Sequence, residues 1–213
     1  MKVILENKSA EILEKKSRFI ANIFYVESET LAEERITEIR KKYYDAKHNC
    51  FAYVIGVNGE VVKSSDDGEP QGTAGHPMLD LLNGNNITNC IAIVTRYFGG
   101  TLLGTGGLVR AYSDSLKEAI KKTSFAEIGF AYEVSFSINY DDYGKVEKLI
   151  QSYNDIYSLD KTFEDVVKLK YLVNDTVFDR VAHDIENVLK GKVVLNRDIK
   201  KTYYYNNEIK YIN

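Results

Sequence analysis

The sequence predicts an α+β protein with two domains, residues 1–130 and 131–213. Three observations support this interpretation. Runs in which apolar residues alternate, as in strands, are interleaved with apolar residues at helical spacing. The pattern restarts after Phe130, and a length of 213 residues suits one large domain or two small ones. A hydrophobic fraction of 44% is enough to fill two cores.

Local signals define the elements of the first domain. Thr30 and Glu33 match a capping box at the start of a helix. Asn58-Gly59 is typical of the type I′ turn of a hairpin, and Pro77 suits the first turn of a helix. In chain order, the predicted elements are a strand over 18–26, a helix over 31–44, a hairpin over 50–64, a short helix ending at Gly84, a buried strand over 90–97 and a helix to about Lys122.

The second domain has its own element pattern. Asp141 is a candidate helix N-cap, and Gly191 is placed to end a later helix. In chain order, the predicted elements are a strand over 132–138, a helix after Asp141, two strands within about 155–173, a helix over about 177–189 and a final strand that takes in 193–195 and the tyrosine-rich tail. This β-α-β-β-α-β order predicts a ferredoxin-like domain.

Composition and charge narrow the function classes. No stretch approaches the roughly 20 apolar residues of a membrane span, and the N-terminus does not resemble a signal peptide. We therefore expect a cytoplasmic protein with no membrane partner. The net charge of −3 excludes nucleic-acid binding through bulk positive charge, so any RNA contact needs a local basic patch. Cys50 and Cys90 are predicted to be buried, reduced thiols, and we expect no metal and no cofactor.

A glycine loop, TRYFGGTLLGTGGLVR at 95–110, contains five of the 14 glycines between two arginines. It connects a predicted buried strand to a helix, where free amides and the helix dipole favour an anion. It lacks the lysine of a P-loop, and Val109 replaces the last glycine of a dinucleotide fingerprint. The alternative is a tight crossover whose arginines form internal ion pairs. The candidate anion- or nucleic-acid-binding residues are Arg96, Arg110, Gly99, Gly100, Gly104, Gly106 and Gly107.

An acidic loop, SDDGEPQGTAGHP at 65–77, contains both prolines of the chain. Such residues favour a rigid loop with several turns. Its three carboxylates could bind a hard cation, transfer a proton, or pair with Arg96 and Arg110 across a shared groove, and we favour the pairing. The candidate groove-lining residues are His48, Asp66, Asp67, Glu69 and Thr73. No nucleophile has a recognisable context, so no catalytic residue is predicted.

His48, SDDGEPQGTAGHPML at 65–79 and IVTRYFGGTLLGTGGLVRAY at 93–112 together resemble the IMPACT/YigZ family. The resemblance implies a left-handed β-α-β fold in the first domain, as in the second domain of ribosomal protein S-five and in elongation factor G, and a ferredoxin-like second domain. It also implies that eukaryotic relatives regulate translation through an additional N-terminal recruitment domain. We expect this chain to lack that domain, because it starts at the shared core.

From the residues and the resemblance together, we expect a non-enzymatic, translation-linked binding protein. Its glycine loop and arginines would contact RNA, the ribosome or another anionic partner. One alternative is a small enzyme acting on a nucleotide or phosphorylated metabolite, in which His48 or an acidic-loop carboxylate moves a proton. A second alternative is an adaptor that docks a translation-regulatory protein through both loops.

Overall fold

The computed structural model describes residues 1–195, 197, 199–206 and 208–211. The chain divides into two compact units, Met1–Ile128 and Gly129–Asn213. The division lies within one long strand, Phe125–Ile138, which also contains the predicted boundary after Phe130. Each unit combines a β-sheet with α-helices, so the α+β class is confirmed.

The first unit is a five-stranded sheet between helices. Its elements are β1 (Lys2–Ile4), β2 (Lys8–Glu14), β3 (Ser17–Tyr25), α1 (Glu29–Lys42), β4 (His48–Ile55), β5 (Val61–Ser65), α2 (Gly75–Gly84), β6 (Cys90–Tyr97), α3 (Thr105–Lys121) and the start of β7 (Phe125–Ile138). The sheet order is β2-β3-β6-β4-β5, with every neighbouring pair antiparallel. Strand β1 pairs with the first residues of β7.

Both faces of this sheet are covered by helices, each through its own apolar cluster. On one face, α2 and α3 contribute Met78, Leu82 and Leu116 to a core that includes Phe19. On the other face, Ile36 and Ile39 of α1 pack against strand side chains. Four residues pair directly across the sheet at the end where β6 stops: Ile12, Phe19, Arg96 and His48. Two members of this row contact the acidic loop: Arg96 is bonded to Glu69 and His48 to the Asp67 carbonyl.

The second unit contains a sheet with helices on one side. Its elements are the rest of β7, α4 (Tyr140–Gln151), β8 (Ile156–Phe163), β9 (Val167–Asn174), α5 (Phe178–Val188), β10 (Ile199–Asn206) and β11 (Glu208–Tyr211). The strand order is β11-β10-β7-β9-β8. Val146 of α4 and Val181 and Ile185 of α5 pack in one cluster with apolar residues of β7 and β9. Among the described residues, no helix has the length and apolar character needed to cross a membrane.

Two predictions in the first unit are wrong in detail. Helix α1 is capped by Ser28, whose hydroxyl accepts the Leu31 N–H at 3.2 Å, and Thr30 lies inside the helix. The predicted hairpin is present, but Ile55 pairs with Val61, so a five-residue loop replaces the type I′ turn. Strand β2 was not predicted, because this edge strand is largely exposed and rich in charge.

Two predictions in the second unit are also wrong in detail. Helix α4 has Asn139 as its N-cap, and Asp141 lies in the first helical turn. Residues 193–195 are outside any strand, and the last strands lie instead in the tyrosine-rich tail. A short apolar run does not by itself distinguish a strand from a packed loop.

Candidate functional site

A buried ion pair joins the acidic loop to the sheet. Arg96 Nη1 donates to Glu69 Oε1 at 2.7 Å, and the two side chains are 8% and 3% exposed. The hydroxyl of Tyr112 on α3 donates to the same carboxylate oxygen at 2.8 Å. The acidic loop, β6 and α3 are therefore fixed to one another by Glu69. This bears out the expected pairing for Arg96 but not for Arg110, which forms no ion pair with the acidic loop among the described residues.

The same network includes a cysteine. Cys50 Sγ donates to the Asp66 carbonyl oxygen at 2.9 Å and approaches the Tyr112 hydroxyl at 3.3 Å. Burial raises the pKa of the Cys50 thiol to about 12, so this thiol stays protonated at neutral pH. Burial also raises the pKa of Tyr112 far above its ordinary value. Cys90 is a buried free thiol as well, as expected.

Asp66 closes the N-terminal end of α2. Its carboxylate accepts the amides of Gly72 at 2.8 Å, Ala74 at 2.9 Å and Gly75 at 2.9 Å. Burial acts to raise the pKa of Asp66, but these hydrogen bonds together hold it below its usual value. An internal carboxylate therefore satisfies the donors that begin this helix.

The other groove-lining candidates make contacts within the protein. Asp67 accepts the Asn49 amide at 2.7 Å and an Arg40 donor at 2.7 Å. The Nδ1 of half-buried His48 lies 2.9 Å from the Asp67 carbonyl oxygen, so Nδ1 carries the proton of this hydrogen bond. Thr73 Oγ1 donates to a backbone carbonyl of its own loop at 2.6 Å. These residues stabilise the acidic loop.

Three of the five loop glycines have a structural explanation. A Cβ on Gly99 would lie 2.0 Å from the backbone carbonyl carbon of Lys16, so only glycine allows this close approach. Gly100 and Gly104 have φ values of +84° and +70°, a region that other residues enter at a cost. Gly106 differs from these three, because a Cβ there would have open space and its φ is not positive.

The N-terminal end of α3 is open. Its N-cap, Gly104, has no side chain with which to cap, and no acidic residue lies in the first turn. Thr105 and Gly106 are exposed, and Gly107 is half-buried. A 17-residue helix therefore presents its first amides to solvent, an arrangement that favours a bound anion.

Arg110 is exposed on α3 and borders a pocket of about 150 Å³. The residues that line this pocket are Ile12, Glu14, Lys15, Leu103, Gly107, Arg110, Ala111 and Asp114. The two arginines of the glycine loop therefore do not form the expected joint anion site: Arg96 is buried against Glu69, and the cation beside Arg110 is Lys15. We call the first turn of α3 (residues 105–107), Lys15 and Arg110 the α3 surface.

Lys15 was not identified from the sequence, and its backbone is unusual. Glu14 pairs with Ser17, so Lys15 and Lys16 alone form the turn between β2 and β3. Both have positive φ, 44° and 66°, where an Asn-Gly pair would fit with less strain. The Lys-Lys dipeptide between two alternating runs was the available signal.

Among the described residues, no group of three or more His, Cys, Asp or Glu side chains is arranged to hold a metal ion.

Comparison with known proteins gives consistent matches. The Impact N-terminal domain family matches residues 15–120. An IMPACT family member from Haemophilus influenzae is 34% identical over 196 residues, which cover 88% of this chain and 93% of that protein. YvyE from Bacillus subtilis is 45% identical over 64% of this chain and 63% of its own length. YigZ from Escherichia coli is 37% identical over 64% of this chain and 68% of its own length.

A crystal structure described as that of a hypothetical protein aligns with a TM-score of 0.59 and 28% identity, covering 91% of this chain and 95% of the other. A structure described as the two-domain translational regulator Yih1 aligns over 55% of this chain with a TM-score of 0.38 and 24% identity. That second agreement is too low to support a structural argument.

Proposed function

Since this chain belongs to the IMPACT family, we propose that it is a translation-regulatory protein that binds RNA through the α3 surface. The link to translation follows from the role that the family resemblance implies for eukaryotic members. The RNA contact is supported by the chemistry of this chain's own residues. This role would place the protein in the cytoplasm, where translation takes place.

One observation carries the proposal: the open start of α3 lies beside two exposed cations. The free amides of residues 105–107 suit phosphate oxygens, and Lys15 and Arg110 add positive charge next to them, in a pocket that Glu14 and Asp114 also line. The net charge of the chain is −3, so this local concentration of donors is needed for any phosphate contact. A Lys-Lys turn with two positive φ values costs about 1–2 kcal/mol per residue relative to an unstrained turn. Such a cost is often retained at functional sites.

The size of the pocket favours RNA over a metabolite. Small-molecule sites usually enclose roughly 300–1,000 Å³, whereas the pocket beside Arg110 has about 150 Å³. This space accommodates a phosphate group on the protein surface better than a whole nucleotide. The pocket therefore argues against the alternative of an enzyme that acts on a nucleotide.

We also propose the two domain folds that the resemblance implies. For the second unit, the strand order β10-β7-β9-β8 with α4 and α5 in one cluster supports a ferredoxin-like domain. For the first unit, we propose the arrangement of the second domain of ribosomal protein S-five. We place the boundary between the domains within β7.

The proposal is tested by titrating fluorescein-labelled RNA with the protein at several salt concentrations and measuring anisotropy. We expect binding at low salt that weakens as salt increases, because phosphate contacts release counterions. In the double variant Lys15→Ala/Arg110→Ala, affinity should depend less steeply on salt. The negative slope of log affinity against log salt should decrease in magnitude by about 2, close to one per lost phosphate contact.

A matched control removes two other exposed cations from the first unit. Arg35 and Lys63 each form a surface ion pair, with Glu38 and Glu33 respectively, and neither borders α3. Arg35→Ala/Lys63→Ala changes the net charge by the same amount and should leave the salt slope unchanged. The proposal fails if the wild-type protein does not bind RNA at low salt, or if both double variants behave alike.

A further inference from the structure

Phe98 is an aromatic residue that lies largely exposed to solvent. It follows β6 directly, and the residue is 56% exposed. Full burial of a phenylalanine contributes about 1.5–3 kcal/mol, so an exposed ring forgoes much of that stabilisation. A single exposed apolar residue needs no explanation, but the contacts behind this ring are specific.

The inner face of the Phe98 ring rests on a fixed cation. The guanidinium carbon of Arg96 lies 5.6 Å from the centre of this ring and 5.5 Å from the centre of the buried Phe19 ring. Arg96 is itself held by the buried carboxylate of Glu69 at 2.7 Å. Cation–π attraction therefore holds the Phe98 ring in place, although more than half of the residue is exposed to solvent.

The backbone after Phe98 is also fixed. Gly99 packs so closely on the turn between β2 and β3 that no Cβ would fit, and its N–H donates to Ser17 Oγ at 3.1 Å. A ring held on a rigid backbone loses little conformational entropy when a partner binds. The same packing places Phe98 beside the turn that contains the exposed cations Lys15 and Lys16.

From this geometry we infer that Phe98 stacks on an unpaired RNA base while the α3 surface contacts the adjoining phosphates. The inference rests on the proposed function and names its ligand class, single-stranded RNA. Aromatic rings beside positive charge bind single strands in this way, because every base has a π-face. An apolar protein surface could use the same ring together with Leu102, which is 83% exposed. The experiment described below distinguishes stacking on an RNA base from docking of such a protein surface.

The chain has no tryptophan, which allows a direct optical test. The indole introduced by Phe98→Trp would be the sole tryptophan fluorophore, and its emission should be quenched when a base of an oligouridylate stacks on it. Phe163→Trp is the matched control: Phe163 is 53% exposed and packs edge-on against Tyr143. We expect quenching for Phe98→Trp and no change for Phe163→Trp.

Affinity provides the second measurement. Stacking of one base is worth about 1–3 kcal/mol by alanine substitution, so Phe98→Ala should weaken oligouridylate binding at least about fivefold. Its affinity for an abasic ribose-phosphate oligomer should equal that of the wild type. Phe98→Tyr should retain oligouridylate binding, and Phe163→Ala should be neutral. Thermal denaturation of each variant checks that it is folded.

The outcomes separate the two proposals. If the wild type binds neither oligomer at low salt, the proposed function fails and the inference fails with it. If the wild type binds RNA but Phe98→Ala binds oligouridylate equally well, without quenching in Phe98→Trp, only the stacking role is overturned. This last result is the one that a protein-docking role for Phe98 predicts.

Discussion

The first turns of α2 and α3 both contain glycine but have opposite surroundings. Helix α2 begins at Gly75, and its first amides are bonded to the carboxylate of Asp66. Helix α3 begins after Gly104, a residue that has no side chain with which to cap the helix. The acidic loop therefore supplies its own anion to one helix, whereas the glycine loop leaves the other available to an external anion. Charge near a glycine-rich turn does not by itself indicate a binding site.

The two arginines of the glycine loop show the same contrast. Arg96 points into the first unit and is bonded to Glu69, whereas Arg110 is exposed beside the open turn of α3. The internal group stabilises the fold, and we assign ligand contact to the external one. Substitutions in each group should therefore affect different measurements.

The largest expected effect is on stability, from Glu69→Ala. Removing this carboxylate leaves Arg96 buried without its partner and the Tyr112 hydroxyl without its acceptor. Breaking a buried pair in this way costs about 3–5 kcal/mol in the free energy of unfolding. Urea denaturation followed by circular dichroism measures it. As a control, Glu33→Ala removes one partner of an exposed pair with Lys63 and should cost less than about 1 kcal/mol. Equal losses in the two variants would contradict the assignment.

A smaller loss is expected from Asp66→Ala, which removes the internal cap of α2. Loss of a helix cap costs about 0.5–2 kcal/mol, and the third hydrogen bond, to Gly72, raises the expectation to about 2–3 kcal/mol. RNA affinity should not change in the folded variant, because Asp66 contributes nothing to the α3 surface. A loss of RNA affinity without a loss of stability would reverse the contrast between the two helices.

The effect of Asp66→Ala should also depend on pH. The pKa of Asp66 is lower in the folded protein than its usual value of 3.8, so the folded state favours the ionised form. The stabilisation from Asp66 is therefore complete above that value and is lost as the pH falls through the lower, folded pKa. The difference in free energy of unfolding between wild type and Asp66→Ala should be constant near neutral pH and should shrink below pH 3.8.

The sequence predicted most helices and central strands because their apolar periodicity is strong. Strand β6 and the cores of α1 and α3 belong to this group. It also predicted that an acidic-loop carboxylate pairs with Arg96. It did not predict that Arg96 is buried whereas Arg110 is exposed. The burial of each arginine depends on its tertiary position, which is a row of the sheet for Arg96 and the outer side of a helix for Arg110. Lys15 was missed for a related reason, since its neighbour on α3 is far away in the chain.

The smallest expected effect comes from Gly106→Ala, which should raise stability and lower RNA affinity. Gly106→Ala places a methyl group in open space within a helix, where alanine is favoured over glycine by about 0.5–1 kcal/mol. The variant should therefore unfold at higher urea, yet bind RNA more weakly, because the methyl group hinders the approach of a phosphate to the α3 amides. Gly144→Ala is the matched control: Gly144 lies in α4, with open space around its Cβ position. It should gain similar stability with unchanged RNA affinity. If Gly106→Ala also binds RNA as the wild type does, the open turn of α3 is not where the phosphate binds.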